Sequence, residues 1–320
     1  MLASVYRERK RVGGTQLAMT VSCYHGDYLL QVRGLSWGAV VDEDERDARP
    51  GALVVDLLGD FNRTGGREMR LKALVALGED LGVSGPTTRV ILARLRERGW
   101  FEVRREGRES AYRLTTLGVR ILNEGGRRIF RLTQEPWARE WSMVIYTVPE
   151  SDRQTRDALR KELIWHGFGP LAPATWVCPH PRLDDIANAA AALPSARLTR
   201  LMTRTVDLAA DRAIAVRCWD LDSLVADYEA FIKALRTRLP DYPRGGRLDG
   251  RTAFAERIRL VNGYRRIVRH DPQLPAELQP AGWPGAEAHR LFEEAHALLA
   301  ETAAEYYAEA AAADLSISNH

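Results

Sequence analysis

An α+β fold in three parts is predicted by this 320-residue sequence. Three observations carry the prediction. Positive charge is concentrated over residues 63–131, on a pattern of helices followed by a short alternating hairpin. Strands and helices alternate over residues 135–218. Amphipathic helices joined by a proline-rich corner occupy residues 219–320. The length exceeds one ordinary core, and a hydrophobic content of 45% can fill several. That content also excludes global disorder, which needs low hydrophobicity and high net charge. No apolar run approaches the ~18 residues of a membrane span, so no membrane partner is expected. Cys23, Cys178 and Cys218 share no close spacing, which argues against a disulfide scaffold or a four-cysteine zinc site.

The formal net charge of +3 conceals a strong asymmetry. Residues 1–62 carry 7 basic and 9 acidic groups, residues 63–131 carry 16 and 8, and residues 132–320 carry 23 and 26. The middle stretch is therefore a cationic module, net +8, on a slightly acidic remainder. Such a module is an electrostatic footprint for phosphate, because neutralising DNA phosphates releases counterions whatever the base sequence. A solvated arginine-rich face is the competing reading, since 42 of the 46 basic side chains are arginine throughout the chain. The local pattern decides between them.

Residues 1–49 read as an appendage, with Gly13-Gly14, scattered polar residues and the acidic run Asp42 to Glu45. A disordered N-terminal extension is expected there. Its basic start and the stretch Leu17 to Cys23 are too short and too interrupted for a secretion signal, so a cytoplasmic location is expected. The folded chain is expected to begin near Pro50. Ala52 to Gly59 is an apolar segment suited to a helix, closed by Asn62-Arg63-Thr64-Gly65-Gly66. A short strand over Glu68 to Arg70 follows. Leu71, Leu74, Val75 and Leu81 then mark a second helix that stops at Gly82. Ser84 is a good N-cap and Pro86 is tolerated in a first turn, so a third helix spans Gly85 to Arg98, with Ile91, Leu92 and Leu95 inside. Beyond Gly99, Phe101, Val103, Tyr112 and Leu114 alternate with polar residues around Glu106-Gly107, the pattern of a hairpin.

Helix–turn–helix followed by a hairpin with an arginine-studded tip is the winged-helix arrangement. It assigns residues 50–134 to double-stranded DNA. The third helix is expected to enter the major groove by its N-terminal half, which carries Ser84, Thr87, Thr88 and Arg89, with Arg94 and Arg96 further along. The hairpin arginines Arg104, Arg105 and Arg108 are expected to reach backbone phosphate or the minor groove. One such module reads a short half-site, so a homodimer is expected.

In the middle part, Trp141 to Val148 and Thr175 to Cys178 are strand candidates, as is Leu198 to Met202. Asp152 caps a helix carrying Leu159 and Leu163, and Leu183 to Leu193 is a second helix. The β-α-β-β-α-β alternation suits a ferredoxin-like sandwich over residues 135–218. His166, Cys178 and His180 have metal-ligating types but no recognised ligand spacing. His289, Glu293 and His296 share a helical face, and a single such row is ordinarily a solvated one. No nucleophile elbow, phosphate-binding Gly-Lys-Ser/Thr loop or dinucleotide fingerprint is present. An enzyme, a metal site and a cofactor are therefore not expected.

In the third part, Leu224, Tyr228, Phe231, Ile232 and Leu235 give an amphipathic helix, followed by a Pro/Gly-rich linker over residues 241–250. A further helix begins at Ala253 and Phe254, and a long final helix covers Ala286 to Ala311. Four prolines from Pro272 to Pro284 make a stiff corner between them.

The chain resembles the PaaX family of bacterial transcriptional repressors in all three parts, over residues 52–310. The resemblance is carried by Leu58-Gly59-Asp60-Phe61, Thr88-Arg89, Leu92-Ala93-Arg94-Leu95 and Gly99-Trp100, and by Arg105-Glu106-Gly107-Arg108 with Tyr112-Arg113-Leu114-Thr115. It is most specific in Tyr264-Arg265-Arg266, Asp271-Pro272-Gln273-Leu274-Pro275, and Leu278 to Gly285 with its Trp283-Pro284-Gly285. Asn262 stands where relatives often have histidine. The resemblance implies a repressor of phenylacetate catabolism genes, released from its operator by phenylacetyl-CoA or a similar CoA thioester. Arg257, Tyr264, Arg265, Arg266 and Trp283 are the residues suited to pair and stack with such a ligand, and interdomain ion pairs are the other use for those arginines. The middle part is similar to the CRISPR-associated ferredoxin-like nucleases, which place a metal-binding aspartate in the first strand. Here the matching run is Tyr146-Thr147-Val148, without a carboxylate, and Glu150 is displaced by three residues. A metal-dependent nuclease is accordingly the disfavoured alternative.

Overall fold

The computed structural model describes residues 6–12, 15–21, 49–62, 68–106, 109–130, 136–242 and 248–313. Inside the segment expected to be a disordered extension, the backbone pairs as two antiparallel strands, β1 (Tyr6–Val12) and β2 (Thr15–Val21). The rest of that segment up to residue 48 lies outside the described residues.

The first folded part runs α1 (Arg49–Phe61), β3 (Met69–Arg70), α2 (Leu71–Asp80), α3 (Gly85–Glu97), β4 (Phe101–Glu106), β5 (Glu109–Leu114) and α4 (Thr116–Phe130). The strands form one sheet in the order β3-β5-β4, with Phe101 opposite Leu114 and Arg105 opposite Ser110. Ser84 caps α3 as its residue type dictates, with the Thr87 amide donating to its hydroxyl.

The middle part is β6 (Trp141–Thr147), α5 (Arg153–Trp165), β7 (Gly169–Ala172), β8 (Thr175–Cys178), α6 (Leu183–Ala190) and β9 (Arg197–Thr203). Its sheet has the order β7-β8-β6-β9, with every neighbouring pair antiparallel. The Thr155 amide donates to Asp152 Oδ1 at 3.0 Å, fixing the start of α5. One face of the sheet is covered by α5 and α6 around Val144, Leu159, Leu163, Phe168 and Ile186. A further helix, α7 (Leu208–Cys218), serves the other face. Its Asp211 is fully buried and accepts from the Trp141 indole at 2.8 Å and from Arg139 at 2.9 Å.

The third part comprises α8 (Leu221–Arg238), α9 (Gly250–Val268), α10 (Gly285–Leu298) and α11 (Ala300–Ala313). The single long helix expected at the end is interrupted at Leu299. No glycine or proline marks that point. Leu299 is buried, and beyond it α11 runs against α9 and α2. There the Tyr306 hydroxyl donates to Asp80 at 2.6 Å, and Tyr307 stacks on Phe61 with ring centres 4.5 Å apart.

The first and third parts share one hydrophobic core. Val54, Leu57 and Leu74 belong to the same buried cluster as Phe254, Ile258 and Phe292. Helix α1 is the hinge of this arrangement, because it packs on α3 and α4 as well as on α9.

Candidate nucleic-acid interface and the junction behind it

Helix α3 faces outward along one side and is anchored along the other. Ser84 and Thr87 share a hydrogen bond between their hydroxyls at 2.8 Å, which rigidifies the first turn. Arg89, Arg94 and Arg96 are exposed, with Arg89 and Arg96 seven residues apart on one flank and Arg94 on the other. A Cβ placed on Gly85 would lie 3.1 Å from Arg89 Nη1, so the Arg89 guanidinium folds back over the helix start. Thr88 departs from the expectation that it faces DNA. It is 0% exposed, its hydroxyl donates to the Ser84 carbonyl at 3.2 Å, and its side chain fills the space left by Gly78 of α2, where a Cβ would come within 2.5 Å. Thr88 thus joins α3 to α2 and leaves the outer surface to its neighbours.

On the hairpin, Arg104 and Arg105 are exposed, and Arg104 pairs with Glu68 at 3.0 Å. Arg113 pairs with Glu102 at 2.9 Å, and Arg70 with Glu109 at 2.6 Å. Arg108, expected at the tip, lies outside the described residues. Helix and hairpin therefore expose arginines from one small unit, with α3 and β4 joined through the buried Trp100.

The five residues singled out in the third part are not brought together. Arg257 of α9 is almost enclosed. Its Nε meets Asp60 Oδ2 at 2.5 Å, its Nη1 donates to the His296 carbonyl at 2.7 Å, and His296 Nε2 lies 2.9 Å from Asp60 Oδ1. Two turns along, Arg265 Nε meets Asp56 Oδ1 at 2.8 Å, while Asn262 donates to Asp56 Oδ2 at 2.7 Å. Asp56 and Asp60 stand one turn apart on α1, so these contacts form a buried ionic seam between the first and third parts. Burial pushes the Asp56 carboxyl up to about 6, against the opposing pull of Arg265 and Asn262. Burial raises Asp60 as well, but the His296 hydrogen bond and the Arg257 charge outweigh it and hold that carboxyl below its ordinary value. Tyr264 is buried, 3.1 Å from His289 Nδ1 and stacked on Phe292 at 4.3 Å. Arg266 is exposed. Trp283 lies apart from these, beside Tyr228, on an open groove of about 640 Å³ that also takes in Ile232, Lys233, Arg236 and Glu287.

A junction residue missed in the sequence is Arg128, near the end of α4. Its guanidinium donates to the carbonyls of Trp165, Val268, Arg269 and Asp271, and lies over the Trp165 ring. Burial lowers it to about 10. The Asp271-Pro272-Gln273 turn closes around it. The buried Asp271 carboxylate accepts from Tyr228 at 2.5 Å and from the Gln273 amide at 2.6 Å, and His180 of the middle part lies 2.8 Å from the Gln273 carbonyl. All three parts meet here. Local pattern gives no signal for it, since the partners are main-chain atoms far along the sequence.

Elsewhere the middle part offers little chemistry. Thr147 ends β6 without a carboxylate, and Glu150 sits in the following turn. Burial pushes the Cys178 thiol up to about 12 and His166 down to about 4, so both stay neutral near pH 7. Among the described residues, no three His, Cys, Asp or Glu side chains are grouped to hold a metal ion. None of their helices is long and apolar enough to cross a membrane.

Comparison with known proteins gives matches over nearly the whole folded chain. Residues 49–118 match the model of a PaaX-like protein, residues 134–215 the central Cas2-like domain of PaaX proteins, and residues 219–309 the C-terminal domain of PaaX-like proteins. The transcriptional repressor PaaX of Escherichia coli (strain K12) is 35% identical over 246 residues, which span 75% of this chain and 77% of that protein. The uncharacterized protein Rv0674 from Mycobacterium tuberculosis aligns in structure with a TM-score of 0.49 and 25% identity, covering 73% of this chain and 89% of its own.

Proposed function

The chain belongs to the PaaX family, and from that premise we propose that it is a transcriptional repressor that binds operator DNA as a homodimer. In this reading α1 to β5 form a winged helix, with α3 in the major groove and the hairpin on the backbone, and the β-α-β-β-α-β unit is a ferredoxin-like scaffold. The observation that carries the reading is the outer face of α3, where Arg89, Arg94 and Arg96 are exposed on a rigid, capped helix. The α3 contacts would come from Ser84, Thr87 and these arginines, and the hairpin contacts from Arg104, Arg105 and Arg108.

The effector of this proposal is phenylacetyl-CoA or a related acyl-CoA thioester, and no cofactor is required. Its phosphates suit arginine. Arg257 and Arg265 already hold Asp60 and Asp56, so an effector phosphate reaching them acts by competition. It would replace an α1 carboxylate and loosen the DNA-binding unit from the third part. The exposed Arg266 and the half-buried Trp283 are the contacts available to the rest of the ligand. Release then follows because the ligand binds the loosened arrangement better than the closed one.

The test is binding of the full chain to the DNA upstream of its own and neighbouring genes, titrated with salt and with a panel of CoA thioesters. Affinity should fall steeply with salt, and at least one thioester should release the complex. Arg89→Glu should abolish specific binding at every salt concentration. Retained binding in that variant would remove α3 from its role, and no release by any thioester would defeat the effector model.

A further inference from the structure

Val90 sits in the middle of the outer face of α3 with 51% of its surface exposed, and among the described residues 49–130 it is the one large hydrophobic side chain left exposed. Among the described residues, the remaining exposed large hydrophobics all lie between Ile145 and Val216. At about 100° per residue, Pro86, Val90 and Ala93 run along the centre of that face, opposite the inward stripe of Thr88, Ile91, Leu92 and Leu95. Arg89 and Arg96 border this strip on one flank, and Thr87 and Arg94 border it on the other. The helix thus presents a short apolar ridge between two polar rows, closed at its C-terminal end by the exposed Glu97 in the same row.

A β-branched side chain lowers helix propensity relative to alanine, and here it packs on no core. The ridge has a natural complement in the major groove. There the only apolar group on a base edge is the C5-methyl of thymine, while guanine offers acceptors suited to arginine. We infer that Val90 is a specificity-determining residue that contacts a thymine methyl in each operator half-site, with the flanking arginines on adjacent guanine or phosphate. The inference rests on the proposal that α3 enters the major groove, and it adds a base identity to that proposal.

The test begins by selecting duplexes from a random pool with the full-length protein, then replacing each thymidine of the selected site with deoxyuridine, which lacks only the methyl. One thymidine per half-site should be sensitive, its replacement weakening binding about fourfold, the loss of one buried methyl contact. In Val90→Ser the thymidine and deoxyuridine duplexes should bind alike, with the unfolding midpoint unchanged because the side chain is exposed. Selection of a defined site whose thymine methyls are all without effect overturns the role of Val90 and leaves the DNA reading standing, as does a full methyl effect in Val90→Ser. Selection of no sequence at all overturns the DNA reading and this inference together.

Discussion

The arginines of α3 and two on the inner face of α9, Arg257 and Arg265, are the same side chain put to opposite uses. On α3, Arg89, Arg94 and Arg96 remain in water, where a guanidinium keeps its hydration and is available to an incoming phosphate. On α9, Arg257 and Arg265 are 11% and 4% exposed, and their partners Asp60 and Asp56 are each 1% exposed. Removing charge from water is costly, and only a complete set of partners offsets it. An exposed arginine is therefore dispensable to the fold and decisive for an encounter. A buried one is decisive for the fold and open to an encounter only if a better anion displaces its carboxylate.

The comparison is broken most directly by Asp60→Ala. It leaves Arg257 and His296 facing a buried gap, and destabilisation by about 3 kcal/mol is expected in urea unfolding. Arg89→Ala should shift the same curve by less than about 0.5 kcal/mol. Equal effects would show that the seam is not the structural half of the pair.

The seam's second carboxylate gives a pH signature. Asp56 titrates near 6 in the folded chain against 3.8 ordinarily. A raised folded value means that the folded state holds the proton more tightly, so this group adds stability as pH falls from about 6 toward 3.8 and loses it as pH rises through 6. His166 opposes the trend over part of the same window, because its lowered value makes acid destabilising. The difference between wild type and Asp56→Asn isolates the carboxyl. The advantage of wild type should be greater at pH 5 than at pH 7, by about 1 kcal/mol. A difference independent of pH would place Asp56 at its ordinary value.

The smallest effect belongs to the exposed row. Arg96→Ala should leave stability unchanged within about 0.5 kcal/mol and reduce the slope of log affinity against log salt by about 1, as expected for one phosphate contact. An unchanged slope would remove Arg96 from the interface.

Local chemistry was legible in the sequence where it is self-contained. The Ser84 and Asp152 caps, the hairpin around Glu106-Gly107 and the inward stripe of α3 all follow from residues within a few positions of one another. Thr88 was legible too, since it stands three, four and seven residues before Ile91, Leu92 and Leu95 and so shares their face. Its residue type alone suits a DNA-facing position, whereas its helical phase and its burial place it inside. Strand β7 contains Gly169 and Pro170, which weaken a strand reading; as an edge strand it tolerates them. Helix α7 has little amphipathicity, but Asp207 caps it through the Ala210 amide at 2.8 Å, a signal present in the sequence. What had no local signal was pairing at a distance. Asp60 and Arg257 are 197 residues apart, and nothing around either names the other.

Helix α4 has a mechanical consequence. Near its start, Gly118 lies so close to the base of the hairpin that a Cβ there would come within 2.5 Å of the Trp100 carbonyl. Ten residues later Arg128 is gripped by carbonyls from the other two parts. Ten residues of α-helix measure about 15 Å and bend little. The helix is a strut fixed at both ends, so a tilt imposed where the three parts meet arrives at the hairpin as an equal tilt. Because the far grip is on main-chain oxygen, the alignment of that strut follows the path of the backbone, whichever side chains occupy positions 268 and 269.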